Sequence, residues 1–84
     1  MRCEYQLTVV AKCPIDNARD SYQVTIRTSR IVKVEDILAA AKELAETPLF
    51  QEELTSKLAS KLAVEVETVG WHSGVRATCL SGNR

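Results

Sequence analysis

Few side chains in this sequence could do chemistry, and Cys13 is the first of them. It ends an alternating segment, is followed by Pro14, and precedes Asp20 by seven residues. A loop of that length can fold back and set a thiol and a carboxylate against one pocket. A cysteine nucleophile needs thiolate character, and an acid must protonate the group it attacks. A plainer reading stands beside this one: Cys13 as a small buried apolar residue and Asp20 as a turn residue.

Glu52 and Glu53 fall in the first turn of an expected helix. Carboxylates are favoured there by the helix dipole, by about 0.3–1 kcal/mol. The functional reading is that one of them points into a cleft, where it could accept two parallel hydrogen bonds from the edge of a guanine or pterin. His72 is the only histidine and stands in a glycine-bounded turn, where a solvated role is the simpler one. Partners at metal-ligand spacing are lacking, so no metal site is expected. Cys3 and Cys79 read as strand residues. Arg27, Arg30 and Lys33 form the densest basic cluster and read as a solvated face. Lys57 and Lys61 read as helix surface.

The elements that must position these groups belong to a short chain. Its 84 residues fit one domain, 1–84, with a thin core. It is 45% hydrophobic and 5% aromatic, so the core must be largely aliphatic. A formal net charge of zero gives no compositional signal for nucleic acid or an anionic membrane. An odd cysteine count without a CxxC pair argues against a disulfide framework. There is no signal-peptide pattern and no apolar run of membrane-spanning length, so a cytoplasmic location without membrane partners is expected.

Residues 4–13 alternate, with Tyr5, Leu7, Val9, Ala11 and Cys13 on one face, which predicts a half-buried strand ended by Pro14. A polar loop follows over 14–20, and a second strand over 21–28 turns Tyr22, Val24 and Ile26 inward. From Val34 the period becomes helical, with Ile37, Leu38, Ala41, Leu44 and Ala45 as the stripe. Thr47 and Pro48 read as the cap and first residue of a second helix carrying Phe50, Leu54, Leu58 and Leu62, closed by Ala63. Strands at 64–69 and 75–80 flank a turn at 70–74, and 81–84 is a frayed tail. The order ββααββ predicts an α+β fold, a four-stranded antiparallel sheet with both helices on one face. Such a sheet leaves two edges and one face bare, and a homo-oligomer is the economical way to cover them.

Cys13-Pro14-Ile15-Asp16-Asn17-Ala18-Arg19-Asp20 resembles the catalytic segment of the QueF family, the nitrile reductases of queuosine biosynthesis, with the Cys-to-Asp spacing kept. Phe50-Gln51-Glu52-Glu53 is similar to the family's Phe-His-Glu-Asp. Val66-Glu67-Thr68-Val69-Gly70 and Ser73-Gly74-Val75 resemble the glycine-containing end of its sheet. The resemblance runs over residues 5–80, and its specific part is the Cys-to-Asp segment.

The resemblance implies a tunnelling fold, assembled as a homo-oligomer with purine or pterin sites between subunits. It implies that Cys13 attacks the nitrile of 7-cyano-7-deazaguanine to give a thioimide, that Asp20 donates the proton, and that Glu52 holds the heterocycle. Gln51, where the family has histidine, and His72 are the further candidates for ligand contacts. The family's lysine-rich NADPH motif is replaced here by Val34-Glu35-Asp36-Ile37-Leu38-Ala39-Ala40. The chain therefore resembles the QueF-like branch more, which passes the thioimide to an amine and makes an amidine on deazaguanine in tRNA. No cofactor is expected on that reading. The substrate would be the free base or the base in tRNA. The alternatives are another purine- or pterin-handling enzyme of the same fold, a nitrile reductase included, and a non-catalytic purine-binding module.

Overall fold

The structure, a computed structural model, describes residues 1–82. The elements run β1 (Cys3–Lys12), β2 (Arg19–Thr28), α1 (Val34–Ala45), α2 (Gln51–Leu62), β3 (Glu65–His72) and β4 (Val75–Ser81). All four strands pair antiparallel in the order β1-β2-β3-β4, so the two helices are an excursion between neighbouring strands. The expected α+β order ββααββ is the one observed.

Strand alternation sets the two faces of the sheet. Across one row of the ladder, Leu7 lies opposite Val24, Val24 opposite Thr68, and Thr68 opposite Cys79. These face the helices. The next row, Thr8, Gln23, Val69 and Thr78, faces away from them. Ile26, Val24 and Val66 meet Leu54 and Leu58 of α2 in a core that excludes water almost completely. The core is aliphatic apart from Tyr22, as the scarcity of aromatics requires.

Several local expectations are corrected. The stripe of α1 is Ile37, Ala40 and Ala41, while Leu38 is 54% exposed. Leu38 lies beside the β1 edge, where no further strand covers it. Helix α2 begins at Gln51, with Phe50 as its N-cap, rather than at Thr47 and Pro48. The segment before it is needed elsewhere: Leu49 is buried, and its N–H donates to the Lys12 carbonyl at 3.1 Å. That bond ties the entrance of α2 to the end of β1. Phe50, expected in the apolar stripe, is exposed. Ala63 closes α2 as expected, in the left-handed region at φ 55°.

Strand β3 runs through Gly70 and Trp71 to His72, so the expected five-residue turn is only Ser73 and Gly74. Both have positive φ, 52° and 84°, as a two-residue hairpin turn of matching twist requires. Asp20 belongs to β2 and not to the loop. Ser81 is the last residue of β4, and residues 83 and 84 of the expected tail lie outside the described residues.

The basic cluster is dispersed. Arg27 lies on the open sheet face, with Glu67 at 2.8 Å, Glu4 at 3.0 Å and Glu65 at 3.5 Å. These carboxylates hold the guanidinium above its ordinary range, Glu67 most strongly. Arg30 instead donates to the Leu62 and Ala63 carbonyls at the end of α2. Among the described residues no helix is long and apolar enough to cross a membrane.

Candidate functional site

The loop after β1 is short and closed by its own backbone. Cys13 N–H donates to the Ala18 carbonyl at 2.8 Å, and Asn17 N–H donates to the Cys13 carbonyl at 2.8 Å. Asn17 takes φ 63°, a left-handed turn that asparagine tolerates. Asp16 accepts from the Ala18 N–H at 3.0 Å. That bond, followed by one from the Cys13 thiol, holds the Asp16 carboxyl below its usual range. This is the turn chemistry expected of the Asp and Asn in the polar loop 14–20. The spacing of two from Asp16 to Ala18, typical of Asx turns, was the available signal.

The closed loop brings Cys13 and Asp20 to the same end of the sheet, since Lys12 pairs with Arg19 and Ala11 with Asp20. The N-terminus of α2 arrives beside them through the Leu49 bond to Lys12. His72 comes from the far end of β3. Together Cys13, Pro14, Asp20, Tyr22, Leu49, Phe50, Gln51, Glu52 and His72 line a cleft of about 210 Å³. All five residues singled out for a site therefore meet at one place.

The two adjacent glutamates have different surroundings. Glu53 accepts from the Phe50 N–H at 2.9 Å, which caps the helix, and lies 3.9 Å from Lys57. Glu52 is exposed at the cleft and has no hydrogen bond or ion pair among the described residues. Of the two, Glu52 is thus the carboxylate left unengaged at the cleft.

Tyr22, expected only as an inward-facing strand residue, forms part of the cleft wall. Its hydroxyl makes a long contact of 3.5 Å with Asp20 Oδ2, and its ring lies 5.8 Å from that of His72. Burial pushes its pKa up to about 12, and Asp20, Cys13 and Glu52 add to this by disfavouring a further negative charge. Tyr22 therefore presents a protonated hydroxyl throughout the physiological range. Its alternation in β2 gave no hint of this, because the cleft is built from three other segments.

Behind the cleft lies a buried polar network. Gln51 Nε2 donates toward the Ala77 carbonyl at 3.0 Å, Thr68 Oγ1 at 3.1 Å and the Thr68 carbonyl at 3.2 Å. Gln51 Oε1 is 2.8 Å from His72 Nε2. Thr55 donates to the Gln51 carbonyl at 2.8 Å and lies 2.6 Å from Thr68 Oγ1. No described buried side-chain polar atom lacks a partner. Gln51 and Thr55 thus stand as polar residues in the buried stripe of α2 with Leu54, Leu58 and Ala59. That break in the apolar pattern was the sequence signal for the network.

Among the described residues, no group of three or more His, Cys, Asp or Glu side chains could hold a metal ion. The lining offers groups for covalent chemistry of another kind: a thiol and two carboxyls in one cleft.

Four antiparallel strands in the order ββααββ, with both helices on one face, make this a tunnelling-fold protein. Among solved structures it is similar to the archaeosine synthase QueF-Like in its apo form, with a TM-score of 0.86. The match covers 95% of this chain and 90% of that one at 18% sequence identity, a likeness of fold. No protein-family model matches the chain, and no curated protein matches it in sequence.

Proposed function

We propose that the chain is a QueF-like enzyme, forming a thioimide between Cys13 and 7-cyano-7-deazaguanine and passing it to an amine. The observation that carries this reading is the meeting of Cys13, Asp20 and Glu52 at one cleft. The similar solved structure is an archaeosine synthase, which supports the same reaction class. The substrate is the nitrile base, free or within tRNA.

Glu52 accepts the paired N–H groups along one edge of the base, which orients the nitrile toward the thiol. A carbon held about 3–3.5 Å from sulfur is poised for attack. The sulfur lone pair forms the S–C bond, and one π bond of the nitrile opens onto nitrogen. Asp20 gives that nitrogen its proton, and the thiol proton restores the carboxyl in turn. The amine then adds to the same carbon, and the thiol leaves. The product is an amidine, and neither oxidant nor reductant is consumed, so NADPH has no part in it.

The functional unit is a homo-oligomer in which a second copy covers the mouth of the cleft. The uncovered sheet face, the free edges of β1 and β4, and the exposed Phe50 and Val75 support this. Intact mass after mixing with 7-cyano-7-deazaguanine tests the chemistry. Wild type should gain the mass of the nitrile and Cys13→Ala should not. A wild-type protein that binds the base but never gains mass would be a purine-binding module instead.

A further inference from the structure

Gln51 holds a place on α2 that the apolar stripe would give to a leucine, and it is 3% exposed. A buried amide must satisfy both its donors and its acceptor. Its nitrogen faces the main-chain carbonyls of Thr68 and Ala77, which can only accept. Turned over, the amide would set its oxygen against those two carbonyls and lose both bonds. The orientation is therefore dictated by the partners.

The hydroxyls agree with it. Thr55 has one proton and gives it to the Gln51 carbonyl, so the 2.6 Å contact between the threonines is filled by the proton of Thr68. Thr68 Oγ1 is then left as an acceptor toward Gln51 Nε2, whose two hydrogens are shared among it and the two carbonyls. With every other direction assigned, Gln51 Oε1 accepts, and His72 Nε2 must carry the hydrogen across 2.8 Å. In the neutral ring Nδ1 is then the unprotonated nitrogen, and it has no protein partner among the described residues.

We propose that Gln51 is a positioning residue that holds His72 in its Nε2–H tautomer, so that Nδ1 accepts a hydrogen bond from an N–H of the base bound in the cleft. The ligand contact rests on the function proposed above; the tautomer does not. Gln51 would then act on the ligand through His72, its own polar atoms being engaged within the protein. Glu52 and His72 would offer two different acceptors, a charged one for the paired N–H edge and a neutral one for a single N–H.

His72 is the only histidine, so a long-range proton–nitrogen NMR spectrum of nitrogen-15-labelled protein reads one ring. In the neutral ring, wild type should show the Nε2–H form alone. Gln51→Met should show a mixture of tautomers. A wild-type Nδ1–H form, or an even mixture, overturns the tautomer whether or not the variant folds. The ligand arm uses 7-deazaguanine, which lacks the nitrile and cannot react. It should move the Nδ1 resonance of wild type and bind Gln51→Met about tenfold more weakly, the loss of one hydrogen bond. Binding that leaves Nδ1 unmoved overturns the contact. Failure of wild type to bind the base at all overturns the contact together with the proposed function, and the tautomer is still decided by the free protein.

Discussion

Gly70 of β3 lies directly against the ring of Tyr22 in β2: a methyl group at position 70 would sit 2.5 Å from Tyr22 Cδ1 and 2.6 Å from Cε1. The two residues are one step beyond the last paired positions, Gln23 and Val69. The missing side chain is what lets the Tyr22 ring approach β3 this closely. Gly70→Ala should therefore force the ring or the strand to move, at a cost of about 1–3 kcal/mol. Chemical denaturation would measure it. An unchanged midpoint would show that the contact relaxes freely.

The roles proposed at the cleft predict a graded series of variants. Cys13→Ala should abolish the covalent adduct. Asp20→Asn should still bind the base but form adduct about 10²–10⁴-fold more slowly, the range for loss of a general acid. Glu52→Ala should lose binding first. Alanine at Cys3 or Cys79 should leave the adduct intact. Mass spectrometry and calorimetry on the same samples separate chemistry from binding.

Alkaline pH should weaken the fold through Tyr22. Its folded pKa is raised to about 12 from the ordinary 10.0, so the native state keeps its proton where the unfolded chain has lost it. Stability from this source is complete below pH 10, falls as pH rises, and is gone above about 12. Denaturation midpoints across that window should fall less steeply for Tyr22→Phe than for wild type. Equal slopes would place the alkaline sensitivity elsewhere.

Arg27 neutralises one of three carboxylates that it gathers, Glu4, Glu65 and Glu67. Arg27→Met should leave those charges facing one another across β1, β2 and β3 and lower the thermal midpoint. Added salt should recover part of the loss, since the Debye length is only about 10 Å at 0.1 M. A midpoint insensitive to salt would mean that the guanidinium acts by packing.

Assembly can be measured without ligand. The sheet leaves β1 and β4 unpaired at its edges, with Val10, Trp71 and Leu80 exposed on its open face. Light scattering at micromolar concentration should give a mass several times that of one chain. A stable single-chain mass would remove the oligomer, and with it the second copy at the cleft.

Much of the fold was legible locally. Alternation at Tyr5, Leu7, Val9 and Ala11, and again at Tyr22, Val24 and Ile26, names the buried faces, because the strand backbone turns successive side chains to opposite sides. The spacing of Leu54 and Leu58 shows the inner side of α2 in the same way. Cys13 and Asp20 could be nominated from residue type and spacing, and Glu52 from the family resemblance. What the chain could not show locally was which partners each group would meet. Thr47 and Pro48 look like a helix start, but the docking of Leu49 against Lys12 moves the start to Gln51. His72 looks like a turn residue, but the pairing of β3 with β4 extends the strand through it and brings its ring to Gln51. Glu52 and Glu53 are alike in sequence, and only the capping of Phe50 by Glu53 leaves Glu52 to the cleft. Periodicity is a property of the backbone and can be read residue by residue. Hydrogen-bond partners separated by 17–26 residues, as in the Gln51 network, depend on strand register and helix docking, which are decided by the packing of the whole chain.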